Sequence, residues 1–282
     1  MTMNSTALLN RFARNQTSQH GEDGILAYVI ERIGARAIRA CCEFGAADGI
    51  YASNTYSLWS GAGWDGVLIE GDPRFFGALD ELQYRYPNLH VLKTLVTTQG
   101  SESIDALFEK HRLAHELGVL SIDIDSIDYH VWSGITRVNA QIVVIEFNQY
   151  IPAFIDYADP SGHIYLGCSL KALERLGTSK GYRLICATLT NAVFLKQDLY
   201  NSQDFPDLPA EALFQWQSLS PALVKFWATN NAYPIWTAKQ RSAYKLWTKI
   251  YFRVSSLLHS KKRWRRPPAE VQASLRTAGL DF

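Results

Sequence analysis

The sequence contains few cysteines and no long apolar run, and these absences exclude several classes of protein. Its four cysteines, Cys41, Cys42, Cys168 and Cys186, are too few for a disulfide scaffold and lack the CxxC spacing of a metal site. No apolar stretch approaches the ~20 residues that span a bilayer. Residues 1–16 lack the apolar core of a secretory signal. We therefore expect a reduced, cytoplasmic protein.

The charges nearly cancel, with 28 Lys and Arg residues against 27 Asp and Glu residues, but they are unevenly distributed. Residues 230–282 contain eleven basic and two acidic residues, which leaves 17 basic and 25 acidic residues in the remainder. Hydrophobic residues make up 47% of the chain, which is ample for a core. An acidic globular body followed by a basic extension predicts two parts with separate roles.

Short apolar segments alternate with helical patterns over the first 200 residues. Helices are predicted at residues 18–33, 103–116 and 168–176 and after Asp72-Pro73, and strands at residues 40–44, 66–70, 91–96, 118–123, 141–146, 182–187 and 192–195. This alternation predicts an α/β fold, a doubly wound and mostly parallel sheet with helices on both faces. We place a domain boundary near residue 200, between a domain at 1–200 and a loop-rich, helical, basic extension at 201–282.

Polar residues follow the predicted strands at the end where ligands bind in doubly wound sheets. They are Glu43 with the small-residue turn Gly45–Gly49, Glu70 with Gly71-Asp72, Asp123 with Asp125, and Glu146 with Asn148. Taken singly, the glycine segment is equally compatible with a plain tight turn, and Glu70 or Asp128 with a helix cap. Four such features at successive strand ends favour a ligand site.

The glycine turn does not have the pattern of a phosphate-binding loop. The sequence contains no Gly-Lys-Ser/Thr at this turn and no complete GxGxxG. Acidic residues at two adjacent strand ends repel a pyrophosphate, but they suit a ribose and a cationic sulfonium. Glu70 lies about 20 residues or more after the Gly45–Gly49 turn, which is the spacing at which an acidic residue can bind the two hydroxyls of a ribose. This description indicates S-adenosylmethionine as the ligand.

Eight motifs occur in order between residues 18 and 196: Ser18–Ile25, Glu43–Gly49, Ser53–Thr55, Leu68–Pro73, Ser121–Asp125, Val144–Asn148, Gly167–Leu170 and Lys180–Tyr182. They resemble the FkbM-like class I methyltransferases, in a branch found in bacterial capsule and surface-glycan gene clusters. The resemblance implies a Rossmann-like, seven-stranded sheet whose last strand is antiparallel. The sequence departs from the wider family in having Ala47-Asp48 where many members have Asn, and Asp125 where many have Glu.

The resemblance also implies roles for individual residues. Gly45, Ala46 and Asp48 are expected to line the methionine part of S-adenosylmethionine, and Glu70 to hold its ribose hydroxyls. Further residues are expected to close over the cofactor or to lie at its edge. The complete predicted cofactor-binding set is Gln19, Glu22, Glu43, Gly45, Ala46, Asp48, Asn54, Glu70 and Asp72.

Methyl transfer requires an acceptor that is held in line with the methyl group and deprotonated. Two arrangements are open. In the first, Asp123 or Asp125 is the general base. In the second, Asp123, Glu146 and Asn148 bind Mg²⁺ or another divalent cation, which lowers the pKa of the acceptor hydroxyl. The resemblance implies O-methylation of a saccharide or a glycan-related small molecule.

Two other functions are weighed against this one. A non-catalytic S-adenosylmethionine-binding or scaffold protein would have no need for Asp123, Asp125 and Glu146. A nucleic-acid methyltransferase recruited by the basic extension is disfavoured, because the sequence contains no Asn-Pro-Pro-Tyr or Pro-Cys motif.

The basic extension contains an amphipathic pattern at Tyr244–Arg266. Trp247, Ile250 and Val254 recur at helical spacing, and the basic cluster Lys261–Arg266 follows. Such a helix suits an anionic membrane surface, which predicts a peripheral location at the inner face of the membrane. Docking of the apolar stripe on the catalytic domain, with the charges in solvent, is the more favoured alternative to this, and nucleic-acid binding is the least favoured of the three. A short final helix is expected from Ala269 to Ala278.

Overall fold

A computed structural model describes residues 8–124, 127–149, 151, 153–164, 166–215 and 269–277, which form seven strands and eight α-helices. The strands are β1 Ala40–Phe44, β2 Asp65–Glu70, β3 Leu89–Lys93, β4 Glu116–Ile122, β5 Asn139–Glu146, β6 Tyr182–Ala187 and β7 Asn191–Lys196. The helices are α1 Glu22–Ile33, α2 Tyr56–Ser60, α3 Phe76–Arg85, α4 Ile104–Lys110, α5 Asp128–Gly134, α6 Leu170–Ser179, α7 Ala210–Leu213 and α8 Ala269–Thr277. Asp125 and the predicted helix at residues 244–266 lie outside the described residues.

The seven strands form one sheet in the order β3-β2-β1-β4-β5-β7-β6. Strands β1 to β5 are parallel, and β7 lies antiparallel between β5 and β6. This arrangement confirms the predicted Rossmann-like, mostly parallel sheet with an antiparallel last strand. Because β1 to β5 run the same way, the loops that follow them all emerge at one edge of the sheet, which we call the carboxyl edge.

Alternating side chains of the strands point to opposite faces of the sheet and form two separate apolar cores. On the first face, Cys41, Leu68, Val119, Val144 and Val193 pack with apolar residues of α1, α2 and α3. On the second face, Cys42, Phe44, Leu120, Ile122 and Val143 pack with residues of α4, α5, α6 and α7. Helices therefore cover both faces of the sheet, as the sequence predicts.

Helix α1 begins at Glu22, four residues later than predicted, because the chain before it is held in another conformation. The Asp23 carboxylate accepts hydrogen bonds from the backbone N–H groups of Gln16, Thr17 and Ser18, at 2.8–2.9 Å. The Ser18 hydroxyl in turn accepts from the Asp23 N–H at 3.1 Å. This reciprocal pairing satisfies N–H groups before and within the first turn and fixes where the helix starts.

The bounds of two further elements also differ from the prediction. The helix predicted at residues 103–116 ends at Lys110, because Arg112 adopts a φ of +55° and the chain reverses into β4 at Glu116. The third strand is Leu89–Lys93 rather than 91–96, because it pairs with β2 and its pairing stops where β2 ends, at Glu70 opposite Lys93.

After the sheet, Leu199 and Phe205 are buried in the first core, and residues 210–214 pack into the second core. Ala210, Leu213 and Phe214 are buried there, and the Phe214 ring lies 5.9 Å from that of Phe147. All four cysteines are buried free thiols. Among the described helices, none is both long enough and apolar enough to cross a membrane.

Candidate functional site

Polar side chains collect on the first face of the sheet at its carboxyl edge. Each lies two residues from a core residue of that face, so strand alternation places it on the same side. The residues are Glu43 after Cys41, Glu70 after Leu68, Ser121 after Val119, Glu146 after Val144, and Asn191 before Val193. The N-terminus of α1 and the Ser53–Thr55 loop lie against this layer. A polar layer at the edge of an otherwise apolar sheet is the strongest candidate site among the described residues.

The register of the sheet places two of these residues, Glu146 and Asn191, in one row with Asp123. Ile122 of β4 pairs with Ile145 of β5, so the next residues, Asp123 and Glu146, lie side by side about 4.8 Å apart across the strands. Glu146 pairs directly with Asn191 of β7. The structure thus brings together Asp123 and Glu146, which were predicted as a pair, and adds Asn191.

The turn after β1 passes directly against the end of β4. Gly45 has a φ of +75°, and a Cβ atom there would lie 1.6 Å from the Asp123 carbonyl oxygen. The N–H groups of Gly45 and Ala46 donate to the Ile69 carbonyl at 3.0 and 3.3 Å, which ties the turn to β2. Glycine is therefore required at residue 45 by both backbone conformation and space.

Glu70 joins the turns that follow β1 and β2. One carboxylate oxygen accepts from the Ala47 N–H and the other from the Asp72 N–H, both at 2.7 Å. Each oxygen keeps a second lone pair, because a carboxylate has about four acceptor positions. A partly buried carboxylate fixed in this way is suited to accept two hydroxyl groups from one ligand.

Asp48 and Asp72, both predicted to lie near the cofactor, stabilise turns. Asp48 accepts from the N–H groups of Ile50 and Tyr51, at 2.9 and 2.7 Å. Asp72 accepts from the Arg74 side chain and N–H, which lower the pKa of Asp72. Both carboxylates shape the rim of the carboxyl edge.

Glu43 is buried beneath the loop that follows the glycine turn. Its carboxylate accepts from the Ser53 hydroxyl, from the Asn54 N–H at 2.8 Å and from the Thr55 hydroxyl at 2.8 Å. Burial raises the pKa of Glu43, and these donors together with Ser121 offset part of that rise. Glu43 therefore acts as the anchor of the Ser53–Thr55 loop.

The anchored loop presents an unpartnered acceptor. The Asn54 side-chain N–H₂ donates to the Ser121 hydroxyl at 3.1 Å, whereas Asn54 Oδ1 is buried without a hydrogen-bond partner. A buried acceptor left unpaired costs about 1–3 kcal/mol. An ammonium or hydroxyl group of a ligand would satisfy it, and S-adenosylmethionine carries both. With the Gly45 turn and Glu70, the donor and acceptor set fits this cofactor.

The N-terminal segment lies over the same layer. The Thr17 hydroxyl donates to the Ser53 carbonyl at 3.0 Å. Glu22 is fully buried, and it accepts from the Thr188 hydroxyl at 2.6 Å, from the Asn191 side chain at 3.0 Å and from the His20 N–H at 2.8 Å. Glu22 thus connects α1 to the β6–β7 hairpin. Gln19, also in the predicted set, is exposed.

The loops after β4 and β5 are held by their own polar residues. Asp128 is buried and accepts from the Ile124 N–H at 2.9 Å. The Asn148 side chain donates to the Leu166 carbonyl at 2.9 Å. His130 contacts the Asp159 carbonyl oxygen through Nε2 at 2.6 Å, which gives this histidine a structural partner.

The predicted metal set stays a prediction. Of the residues that the structure describes, no group of three or more His, Cys, Asp or Glu side chains is arranged to hold a metal ion. The predicted set of Asp123, Glu146 and Asn148 contains only two residues of those types.

Three residues of the layer were not predicted: Ser121, Thr188 and Asn191. Ser121 lies two residues before Asp123 and could have been found from strand alternation. Thr188 follows β6, which runs the same way as β5, so it too could have been found as a residue after a strand end. Asn191 could not, since it begins rather than ends a strand, and only the antiparallel direction of β7 brings it to the carboxyl edge.

No family model and no curated protein matches the sequence. Solved structures with a similar arrangement include the citrinin polyketide synthase CMeT domain, at 12% identity and a TM-score of 0.39 over 56% of this chain. The mitomycin 7-O-methyltransferase MmcR is similar at 13% identity and a TM-score of 0.34 over 61% of this chain. The glycopeptide N-methyltransferase MtfA in complex with sinefungin is similar at 9% identity and a TM-score of 0.38 over 64% of this chain.

The chain covers 46% and 54% of the first two of these structures and 96% of the third. It therefore spans about half the length of the citrinin synthase domain and of the mitomycin enzyme. At these identities the likeness concerns the fold alone, and it assigns no activity to this chain.

Proposed function

We propose that this protein is an S-adenosylmethionine-dependent methyltransferase that O-methylates a saccharide or a glycan-related small molecule. The observation that carries the proposal is the carboxylate of Glu70, which is held by Ala47 and Asp72 between the turns after β1 and β2. The row of Asp123 and Glu146 on the neighbouring strands supports a second, acceptor-binding half. The saccharide class and the FkbM-like branch rest on the motifs in the sequence.

In this proposal the cofactor supplies an electrophilic methyl group on a sulfonium. Glu70 binds the two ribose hydroxyls, and the Gly45–Gly49 turn provides backbone against which the methionine part lies. Asn54 Oδ1 accepts from a donor of the amino-acid part. These residues fix the position of the reacting carbon, which lowers the entropic part of the barrier.

The acceptor half orients the nucleophile and removes its proton. A carboxylate within hydrogen-bond distance of an acceptor hydroxyl takes the proton as the new bond to carbon forms. Asp123 is our assignment for this base, since it adjoins the glycine turn, and Glu146 orients the acceptor. Asp125 remains the alternative base; it lies outside the described residues.

A divalent cation is the second proposed arrangement. Asp123, Glu146 and Asn148 supply oxygen ligands of the kind that Mg²⁺ prefers. If the cation is needed, EDTA abolishes methyl transfer and Mg²⁺ restores it, while S-adenosylhomocysteine binding persists. Activity that is unchanged by EDTA assigns the proton transfer to a carboxylate alone.

Calorimetric titration with S-adenosylmethionine and S-adenosylhomocysteine tests the proposal directly. We expect both to bind, and Glu70→Ala to weaken each by about 100-fold, since two hydrogen bonds to a charged group contribute ~1.5 kcal/mol each. Glu81→Ala, on the exposed side of α3, is the matched control and should bind as the wild type does. Folded protein that binds neither compound would contradict the proposal.

The acceptor can be identified by incubating the protein and S-adenosylmethionine with a panel of glycans and sugar nucleotides and searching for a mass increase of one methyl group.

We further propose that residues 244–266 place the protein at an anionic membrane, on the basis of their sequence alone. Removal of residues 240–282 should then release the protein from the membrane fraction. If the truncated protein stays in the membrane fraction to the same extent as the full-length protein, the membrane proposal is contradicted.

A further inference from the structure

Asn191 has no role in the function proposed above, although its side chain lies in the polar layer at the carboxyl edge. It is the first residue of β7 and pairs with Glu146. The Phe147 N–H donates to the Thr190 carbonyl at 2.7 Å, so Glu146 and Asn191 form a non-hydrogen-bonded pair. Side chains in such pairs share a face and approach closely, with Cα atoms about 4.5 Å apart. Asn191 therefore adjoins the residues to which the acceptor half was assigned.

The orientation of the Asn191 amide is determined by its surroundings. Its N–H₂ group donates to the buried Glu22 carboxylate at 3.0 Å, and only the nitrogen of the amide can do so. The Asn191 N–H and C=O are held by Thr188, at 3.1 and 2.8 Å. The amide is thus fixed with its oxygen as the remaining polar atom.

That oxygen lacks a partner. Asn191 is 4% exposed, and its Oδ1 is buried without a hydrogen bond. A carbonyl oxygen accepts hydrogen bonds and cannot donate them. Its missing partner is therefore a donor, such as a hydroxyl or an ammonium group, and a carboxylate or phosphate oxygen cannot take that place beside Glu22 and Glu146.

We propose that Asn191 is a specificity-determining residue, whose Oδ1 accepts a hydrogen bond from a hydroxyl or ammonium group of the methyl acceptor. Glu22 is a positioning residue, since it acts by holding the Asn191 amide. The inference rests on the proposed function, because it takes Asp123 and Glu146 as the acceptor half. It adds that the acceptor carries a donor group next to the one that is methylated, and that an anionic group there is rejected.

The test follows the side-chain amide resonance of Asn191 in ¹⁵N-labelled full-length protein saturated with S-adenosylhomocysteine. The resonance is assigned from its loss in Asn191→Leu. Three probes are titrated: methyl α-galactopyranoside, galactosamine and galacturonate, which present a hydroxyl, an ammonium and a carboxylate group. We expect a saturable shift with at least one of the first two, and affinity for galacturonate lower by about tenfold or more.

Binding of each probe to Asn191→Leu and to Asn191→Ser is then measured by calorimetry. Both variants should lose about tenfold in affinity for the preferred probe, while S-adenosylhomocysteine affinity changes by less than about twofold. Asn201→Leu is the matched control, because Asn201 makes its contacts within the 201–204 turn, with Asp204 and Gln203. The serine variant avoids the larger apolar side chain if leucine prevents folding.

The inference is overturned if neither donor probe shifts the amide, if galacturonate binds equally well, or if both variants retain the probe. It is also overturned if the variants lose S-adenosylhomocysteine, which would make Asn191 part of the cofactor site or of the framework. Failure of the wild type to bind S-adenosylhomocysteine is a separate result, and it refutes the proposed function instead.

Discussion

Substitution of Gly45 by alanine tests whether the end of β4 shapes the cofactor turn. Gly45→Ala is compared with Gly63→Ala, because both glycines have a positive φ, +75° and +66°. A Cβ atom at residue 63 meets nothing within 4 Å, whereas one at residue 45 lies 1.6 Å from the Asp123 carbonyl oxygen and 2.7 Å from its carbon. The pair therefore separates backbone strain from the steric conflict.

The magnitudes follow from these distances. The left-handed conformation costs about 1 kcal/mol for alanine in either variant. At residue 45 the turn must also move by more than an ångström from backbone that cannot yield. Three hydrogen bonds are then lost or stretched: Gly45 N–H and Ala46 N–H to Ile69, and Asp123 N–H to Phe44. At ~1 kcal/mol each, the total destabilisation is about 4 kcal/mol.

Urea unfolding followed by far-ultraviolet circular dichroism measures both values, and calorimetry measures S-adenosylhomocysteine binding. We expect Gly63→Ala to lose about 1 kcal/mol and to bind normally, and Gly45→Ala to lose about 4 kcal/mol and to bind weakly or not at all. Equal stability of the two variants, or normal binding by Gly45→Ala, would refute the argument.

Three further substitutions test the hydrogen-bonded framework. Glu43→Gln removes a carboxyl group whose pKa is raised by burial. Because the unfolded chain loses this proton at a lower pH than the folded protein does, the wild type should lose stability relative to the variant as pH rises above about 4.5. Urea unfolding across that pH range measures the difference. For Asp23→Asn the pH dependence of the stability difference has the opposite sign. Burial alone raises the pKa of Asp23, but the N–H groups of residues 16–18 outweigh it and lower the pKa. Asp23 therefore stabilises the protein above pH ~3.8, the variant should lose about 1–3 kcal/mol near neutral pH, and the difference should vanish as pH falls through the folded pKa. Ser121→Ala frees the Asn54 amide, so S-adenosylhomocysteine affinity should fall about tenfold with stability changed by ~1 kcal/mol; unchanged affinity would contradict the role of Asn54.

The sequence predicted β1, β2, β4 and β5 well because each is a short apolar run with an acid at or next to its end. Glu43, Glu70 and Glu146 mark the ends of β1, β2 and β5 directly. The end of α4 was missed, since the residues from His111 to Leu113 contain no glycine or proline. The chain reverses there because Arg112 adopts a positive φ, which a non-glycine residue rarely does, and nothing in the local sequence indicates it.

The partners of the site residues were less predictable than their positions. A strand-end acid is visible in a sequence, but whether it faces a ligand or supports a loop depends on neighbours that are distant in the chain. Glu43 is occupied by residues 53–55, and Glu22 by Thr188 and Asn191, which lie more than 160 positions away. Such contacts follow from tertiary packing, which strand and helix patterns do not encode.

The placement of β7 between β5 and β6 has a consequence for biosynthesis. Ile142–Glu146 of β5 pair with residues 191–195, so β5 remains an open edge of the parallel sheet until the ribosome has added β7. Its apolar residues and free backbone groups are then available to other nascent chains. Fragments that end before residue 191 should therefore aggregate, and a chain that reaches Lys196 closes this edge by inserting β7 beside β5.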